Sequence, residues 1–371
     1  MNYEEYIEKM LIIQQIIEKY IDIEEDEYRE NYYLTSLFTK EQILEDRSLL
    51  KSILYILSKI TKNHYHNSHF QCKIRKIFQS IKSYIISTFS NSEIFNIFKN
   101  QKLILLILIE EKIISIESFF HFIRKIKYIN LHYPEFFYPE IKKFINESMI
   151  QYILKILPQN YEDLREIGEN EDFICKLIRE DSIQDFIIFI NKTNYPLNSH
   201  IKTSIFETNS FLLKKEPTIV EYAAFFGSIQ ILNYLFLKNV SFSPSLWLYG
   251  IHSNNPELIG FLEEKCIKPK DETYEECLKE SIKCHHNEIA DYFLNNYIKE
   301  IDQDNFDNNI YSYGFHYRNF LYFPKNQNYK FMFYYACQYD YFNIVKNFLN
   351  NKYFDINDEI IKALLLNNIL L

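Results

Sequence analysis

Glycine is scarce here: only Gly168, Gly227, Gly250, Gly260 and Gly314 occur in 371 residues. A chain built from many short strands needs tight hairpins, and those draw on glycine for positive backbone angles. No two of the five lie close enough for a dinucleotide fingerprint, a P-loop or a nucleophile elbow. The long stretches between prolines and glycines therefore predict helices. That prediction runs against bare propensity, because 31 Tyr and 32 Phe would score toward strand. With 47% hydrophobic residues the chain can bury a core.

Periodicity supports the α reading. Tyr6, Met10, Ile13 and Ile17 recur at helical spacing with Glu and Lys between them. Further helical candidates run over 43–60, 70–89, 94–114, 118–128 and 140–157, punctuated by Pro134, Pro139 and Pro158. The longest strongly apolar run, Leu103 to Ile109, is far short of the roughly 20 residues that a membrane span requires. A net charge of −9 disfavours nucleic-acid binding by the chain as a whole. The six cysteines lack CxxC spacing, and the acidic start does not resemble a secretory signal, so a reducing, cytoplasmic, soluble setting is expected.

A repeat is visible in the second half. Thr218 opens a segment with Ala223-Ala224, Gly227, Ile231, Leu232 and Leu235 in the positions of the ankyrin pattern T-P-L-H-x-A-A-x-x-G-x-x-x-I-V-x-x-L-L. Ile219 and Glu221 stand where that pattern has proline and histidine. The apolar signature of the second helix returns at 257–262, 288–293 and 343–348. Aligning these units places Ala223, Gly250, Ser281 and Ala336 opposite one another, all small as close helix packing requires. The turn-glycine position is then held by Gly227, Asn254, His285 and Asp340, types that tolerate a left-handed backbone. A further unit at 181–189 has Leu177 at its small position, and 357–370 would supply a truncated last repeat.

Together with Ser204 to Ser210, Glu221 to Gln230, Pro244 to Tyr249 and Ile282 to Glu288, these motifs resemble a large family of protist ankyrin-repeat proteins. Its members carry an uncharacterised helical domain ahead of the repeats. The resemblance implies an all-α chain with a helical domain over 1–160. It also implies a solenoid of degenerate ankyrin repeats over 161–371, and the wide spacing from Glu288 to Asn343 places an insertion near 297–330. It implies an adaptor role, without a reaction or cofactor.

In such an array the two positions before the turn glycine face partners. They map to Phe225-Phe226, His252-Ser253, Lys283-Cys284 and Gln338-Tyr339. The expectation is a non-enzymatic protein–protein interaction scaffold whose groove is lined by Phe225, Phe226, His252, Ser253, Lys283, Gln338 and Tyr339. An alternative comes from Arg47, Lys51, Lys59, Lys62, Lys73, Arg75, Lys76 and Lys82, since no Asp or Glu occurs between Arg47 and Ser92. Such a basic face would take an acidic lipid surface or RNA. It could equally be solvated, or paired with the acidic run Glu24 to Glu27.

Two clusters have ligand-type chemistry. His64, His66, His69 and Cys72 suit zinc by type, but no second ligand pair follows at standard spacing, so an inter-helix loop is the expectation. Cys277, Cys284, His285 and His286 are accounted for by the repeat register, and no orienting group or oxyanion hole accompanies them. Trp247, the lone tryptophan, is expected in the repeat core or at a partner contact. No catalytic, metal or cofactor site is expected.

Overall fold

The computed structural model describes residues 2–23, 27–38, 44–64, 69–125, 132–298, 303–324 and 329–351. Among them there is no strand. A single antiparallel bridge joins His200 and Thr218. No helix among them is long and apolar enough to cross a membrane. The chain divides into two compact units. One comprises residues 89–277; the other joins residues 1–88 to 278–371. This division by packing differs from the division by repeat signature, which placed a boundary at 160.

The unit joining the two ends of the sequence contains α1 (Tyr3–Asp22), α2 (Glu27–Phe38), α3 (Arg47–Asn63) and α4 (Phe70–Thr88). Asn2 caps α1 by accepting a hydrogen bond from the Glu5 amide, and the face expected from periodicity, Tyr6, Met10, Ile13 and Ile17, is buried. Helix α1 packs on α2, α3, α4, the 3-10 turn η1 (Phe320–Tyr322) and the last described helix, named below. Gln14 is wholly buried on this face. Its amide is used on both sides: Nε2 donates to Asn319 Oδ1 at 2.9 Å and Oε1 accepts the Phe320 amide at 2.7 Å.

The unit over 89–277 begins with α5 (Asn91–Phe98), α6 (Lys102–Glu110) and α7 (Ile116–Ile123). The apolar run Leu103–Ile109 is α6, buried all round, as a short helix without a polar face must be. Pro134 and Pro139 start the one-turn helices α8 (Tyr133–Phe136) and α9 (Tyr138–Ile141), where a missing amide proton costs nothing. Then follow α10 (Glu147–Ile156), α11 (Tyr161–Ile167), α12 (Phe173–Arg179), α13 (Ile183–Thr193), α14 (Leu212–Lys215), α15 (Ile219–Phe226), α16 (Ile229–Leu237), α17 (Leu246–His252) and α18 (Pro256–Glu264). Helix α15 packs between α12 and α17, and α13 lies on α16.

Helix α19 (Glu275–Cys284) crosses the second division. It is followed by α20 (Asn287–Asn296), α21 (Gln303–Tyr317), η1, α22 (Tyr329–Gln338) and α23 (Phe342–Asn351). The expected insertion near 297–330 thus contributes α21 and η1. Gly314 lets them approach, since a Cβ there would lie 2.8 Å from the Tyr322 carbonyl oxygen. Residues 357–370 lie outside the described residues.

One local geometry recurs. Gly227, Asn254, His285 and Asp340 all have positive φ, at 68°, 52°, 60° and 58°, and Asp181 joins them at 45°. Four residues earlier stand Ala223, Gly250, Ser281 and Ala336, all buried, with Leu177 in the fifth case. The residue after the left-handed one donates its amide back to that position in four of the five: Ser228 to Ala223, His286 to Ser281, Tyr341 to Ala336 and Ser182 to Leu177, at 2.8–3.0 Å. This six-residue closure satisfies the last carbonyls of one helix and aims the chain into the next. Thr218 and Glu221 form a capping box at the start of α15, so the glutamate that departs from the ankyrin pattern has a job of its own.

Candidate functional site

The residues expected to line a groove divide by exposure. In the 89–277 unit, Phe225, His252 and Ser253 are buried. The His252 ring lies 4.1 Å from that of Phe211 and 5.3 Å from that of Phe225, centroid to centroid. Phe211, from the segment ahead of α15, covers positions that would otherwise be displayed. Ser253 Oγ donates to the Gly250 carbonyl at 2.6 Å and accepts from the Asn255 amide. These three residues are therefore corrected from display to packing and turn closure. Phe226 is half-buried. In the other unit Lys283 and Tyr339 are half-buried and Gln338 is exposed, while Cys284 is buried. Trp247 is fully buried and donates Nε1–H to the Ile267 carbonyl at 2.7 Å, which makes it a core residue.

The sequence expectations passed over the exposed apolar residues of α10. In α10, Met149, Tyr152, Leu154 and Ile156 are 38–54% exposed and Ile153 alone is buried. The signal was there in the excess of large apolar residues over the single stripe that one packing face needs.

The histidine clusters are resolved into a polar junction. His64 is buried on the unit's inner side, with Nδ1 2.9 Å from the Cys284 carbonyl oxygen and Nε2 2.8 Å from Asp22 Oδ1. Both partners are acceptors, so the geometry suits the doubly protonated ring. Desolvation lowers its pKa, but the Asp22 hydrogen bond and charge, the Glu18 charge and the Cys284 carbonyl together raise it above the usual histidine value. His286 meets its ring edge-on at 4.8 Å, and His285 Nδ1 lies 2.7 Å from Glu18 Oε1. His64 is thereby committed to α1 and to the end of α19, away from any joint ligand set with His69 and Cys72; His66 lies outside the described residues. Burial pushes the Cys284 thiol well above its ordinary value, which removes the nucleophilic thiolate.

The basic run over 47–82 is largely occupied. Arg47 donates to the Thr88 carbonyl and Lys51 pairs with Asp340 at 2.7 Å. Lys73 is buried and donates to the carbonyls of Ile21 and Ile23 at the end of α1, and Lys76 pairs with Glu30 at 2.8 Å. An uninterrupted basic face is thus reduced to a few cations.

The 89–277 unit holds a buried polar core. Arg179 bonds Glu169 at 2.6 Å, and its Nη1 donates to the Asn170 carbonyl and the Tyr222 hydroxyl at 2.9 Å each. Glu207 is 5% exposed and lines a cavity of about 20 Å³, enough for roughly one water. Burial raises its pKa to about 7, and burial lowers that of Lys102 to about 7. Lys102 donates to the Ile205 carbonyl at 2.8 Å, so this network holds the 199–217 segment against α6 and α12.

No family model matches the chain, and no curated protein or solved structure shows significant similarity to it.

Proposed function

We propose that this chain is a non-catalytic protein-interaction scaffold built from ankyrin-type helix pairs stacked as a solenoid. The observation that carries this reading is the repeated turn. Five times a helix ends in a left-handed residue and the next helix starts two residues later, and four times a small buried residue precedes that turn by four. Surface positions beside these turns differ in chemistry, from Phe226 to Lys283 to Gln338, as recognition rather than packing would leave them. Buried thiols at Cys175 and Cys337, pushed up to about 12, serve as core rather than as nucleophiles. The intended partner is a protein, met in the cytoplasm.

Cross-linking in native cells followed by mass spectrometry tests this. Phe226→Ala with Gln338→Ala is expected to remove specific cross-linked partners while the fold persists. Loss on Tyr152→Ser with Leu154→Ser instead would move the interface to α10. Unchanged partners with both pairs of substitutions would overturn the scaffold reading.

A further inference from the structure

The unit joining the chain ends gathers cations around a ladder of rings. The exposed His316 ring lies between Tyr317 and Tyr339, 4.5 Å and 4.9 Å away, with interplanar angles of 9° and 15°. Tyr335 continues the ladder 6.0 Å beyond Tyr339, at 11°. Lys59 from α3 places Nζ 5.8 Å from the centre of the Tyr317 ring, and Lys279 from α19 places its own 5.6 Å from that of Tyr313. Lys62 stands one turn from Lys59, and Lys283 one turn from Lys279. Glu280, beside them, pairs with Lys283 at 2.5 Å. Asp340 nearby is held by Lys51 and the Tyr55 hydroxyl. Arg318 is 3% exposed, stacks 4.1 Å over Tyr55 and donates Nη2 to the Tyr339 and Asp340 carbonyls; its buried Nη1 makes no hydrogen bond.

Helices from both ends of the sequence thus bring like charges together. Bringing cations into one partly buried place raises the folded state's energy unless something negative shares it. The surroundings bear that strain. Burial lowers the Lys59 ammonium to about 8, and Arg318, Lys62 and Lys283 push it the same way. Burial, then Lys59, Lys279, Lys62 and Lys283 hold the His316 imidazole down to about 4.

We infer that Lys59, Lys279 and the His316 ring ladder form a binding site for a phosphoryl anion. A phosphate group accepts several charge-assisted hydrogen bonds at once and offsets the repulsion among its donors. The ladder holds the helical backbone carrying His316 in place, so the site is preformed. The inference replaces a continuous basic face over 47–82 with a compact site to which only Lys59 of that run belongs. It goes beyond the scaffold reading and stands or falls without it.

The test uses the full chain, with inorganic pyrophosphate as the soluble probe and phosphatidylcholine vesicles, with and without phosphatidylinositol phosphate, as the lipid probe. Calorimetry or vesicle co-sedimentation is run at constant ionic strength, alongside the His316 ring signal in a histidine-labelled sample assigned by His316→Gln. Saturable binding is expected to either phosphorylated probe, raising the His316 titration midpoint by about one pH unit or more. Lys279→Gln, at an exposed position, is expected to weaken binding about tenfold. Without any anion that substitution also raises the His316 midpoint, because one repelling charge is gone. A response no larger than that to the same ionic strength of chloride overturns the site. So does saturable binding that Lys279→Gln and Lys59→Gln leave unchanged.

Discussion

His64 shows how far a single side chain can be committed by its surroundings. Both of its nitrogens face acceptors, Asp22 on α1 and the Cys284 carbonyl at the end of α19, and the ring is buried against His286. Glu18 and His285 stand beside it, paired with each other. The folded-state pKa of His64 is raised, so the proton it holds favours the fold. That contribution is complete below the unfolded-state value of about 6.5 and is lost as pH climbs through the folded-state value. Urea denaturation across pH 6 to 9 is therefore expected to show a stability loss of at most about 1.4 kcal/mol per pH unit from this group. His64→Gln would be less stable at pH 6 and would lack that part of the slope. An identical slope in the two proteins would show that the ring carries no extra proton. From sequence alone His64 read as part of a polar inter-helix loop. Its true partners lie 42 and 220 residues away, beyond any local pattern.

At the scale of helices and turns, much was legible. The small residue and the left-handed turn residue four positions later can be read from composition at fixed spacing, since few residue types tolerate either position. Asn254, His285 and Asp340 take the strained backbone without glycine, which explains how a chain with so few glycines still makes these turns. Gly227 is the glycine among these turn residues: its φ is 68°, and an added Cβ would lie 3.1 Å from Asn255 Nδ2. Gly227→Ala is expected to cost about 1–2 kcal/mol, read as a lower urea midpoint at unchanged m-value. A cost within about 0.5 kcal/mol would mean that the turn relaxes freely. What the repeat pattern could not show was the segment carrying Phe211, which covers His252 and Phe225. A residue's exposure depends on what folds over it, and the irregular 199–217 stretch carries no periodic signal.

For the molecule as a whole, the expected boundary lay near 160, ahead of the expected repeats. Packing instead closes one unit within 89–277 and assembles the other from both ends. Gln14 and Asn319 show the cause: the buried Gln14 amide on α1 bonds Asn319 and the Phe320 amide, and Asn319 donates in turn to Asn287. The fragment 89–277 is therefore expected to unfold cooperatively on its own, whereas 1–160 would lack the partners of α1 and melt without a sharp transition. Circular dichroism of the two fragments checks this, and a cooperative 1–160 would contradict the pairing of α1 with the distal helices.

The Gln14–Asn319 bond also sets a schedule. On a ribosome adding about 5–20 residues per second, α1 emerges roughly 15–60 seconds before Asn319 is made. Through that interval Tyr6, Met10, Ile13 and Ile17 have no distal surface to lie against. The 89–277 unit can close in the meantime, so newly made chains would call on holding chaperones chiefly for their first helices, and slower translation would lengthen that dependence.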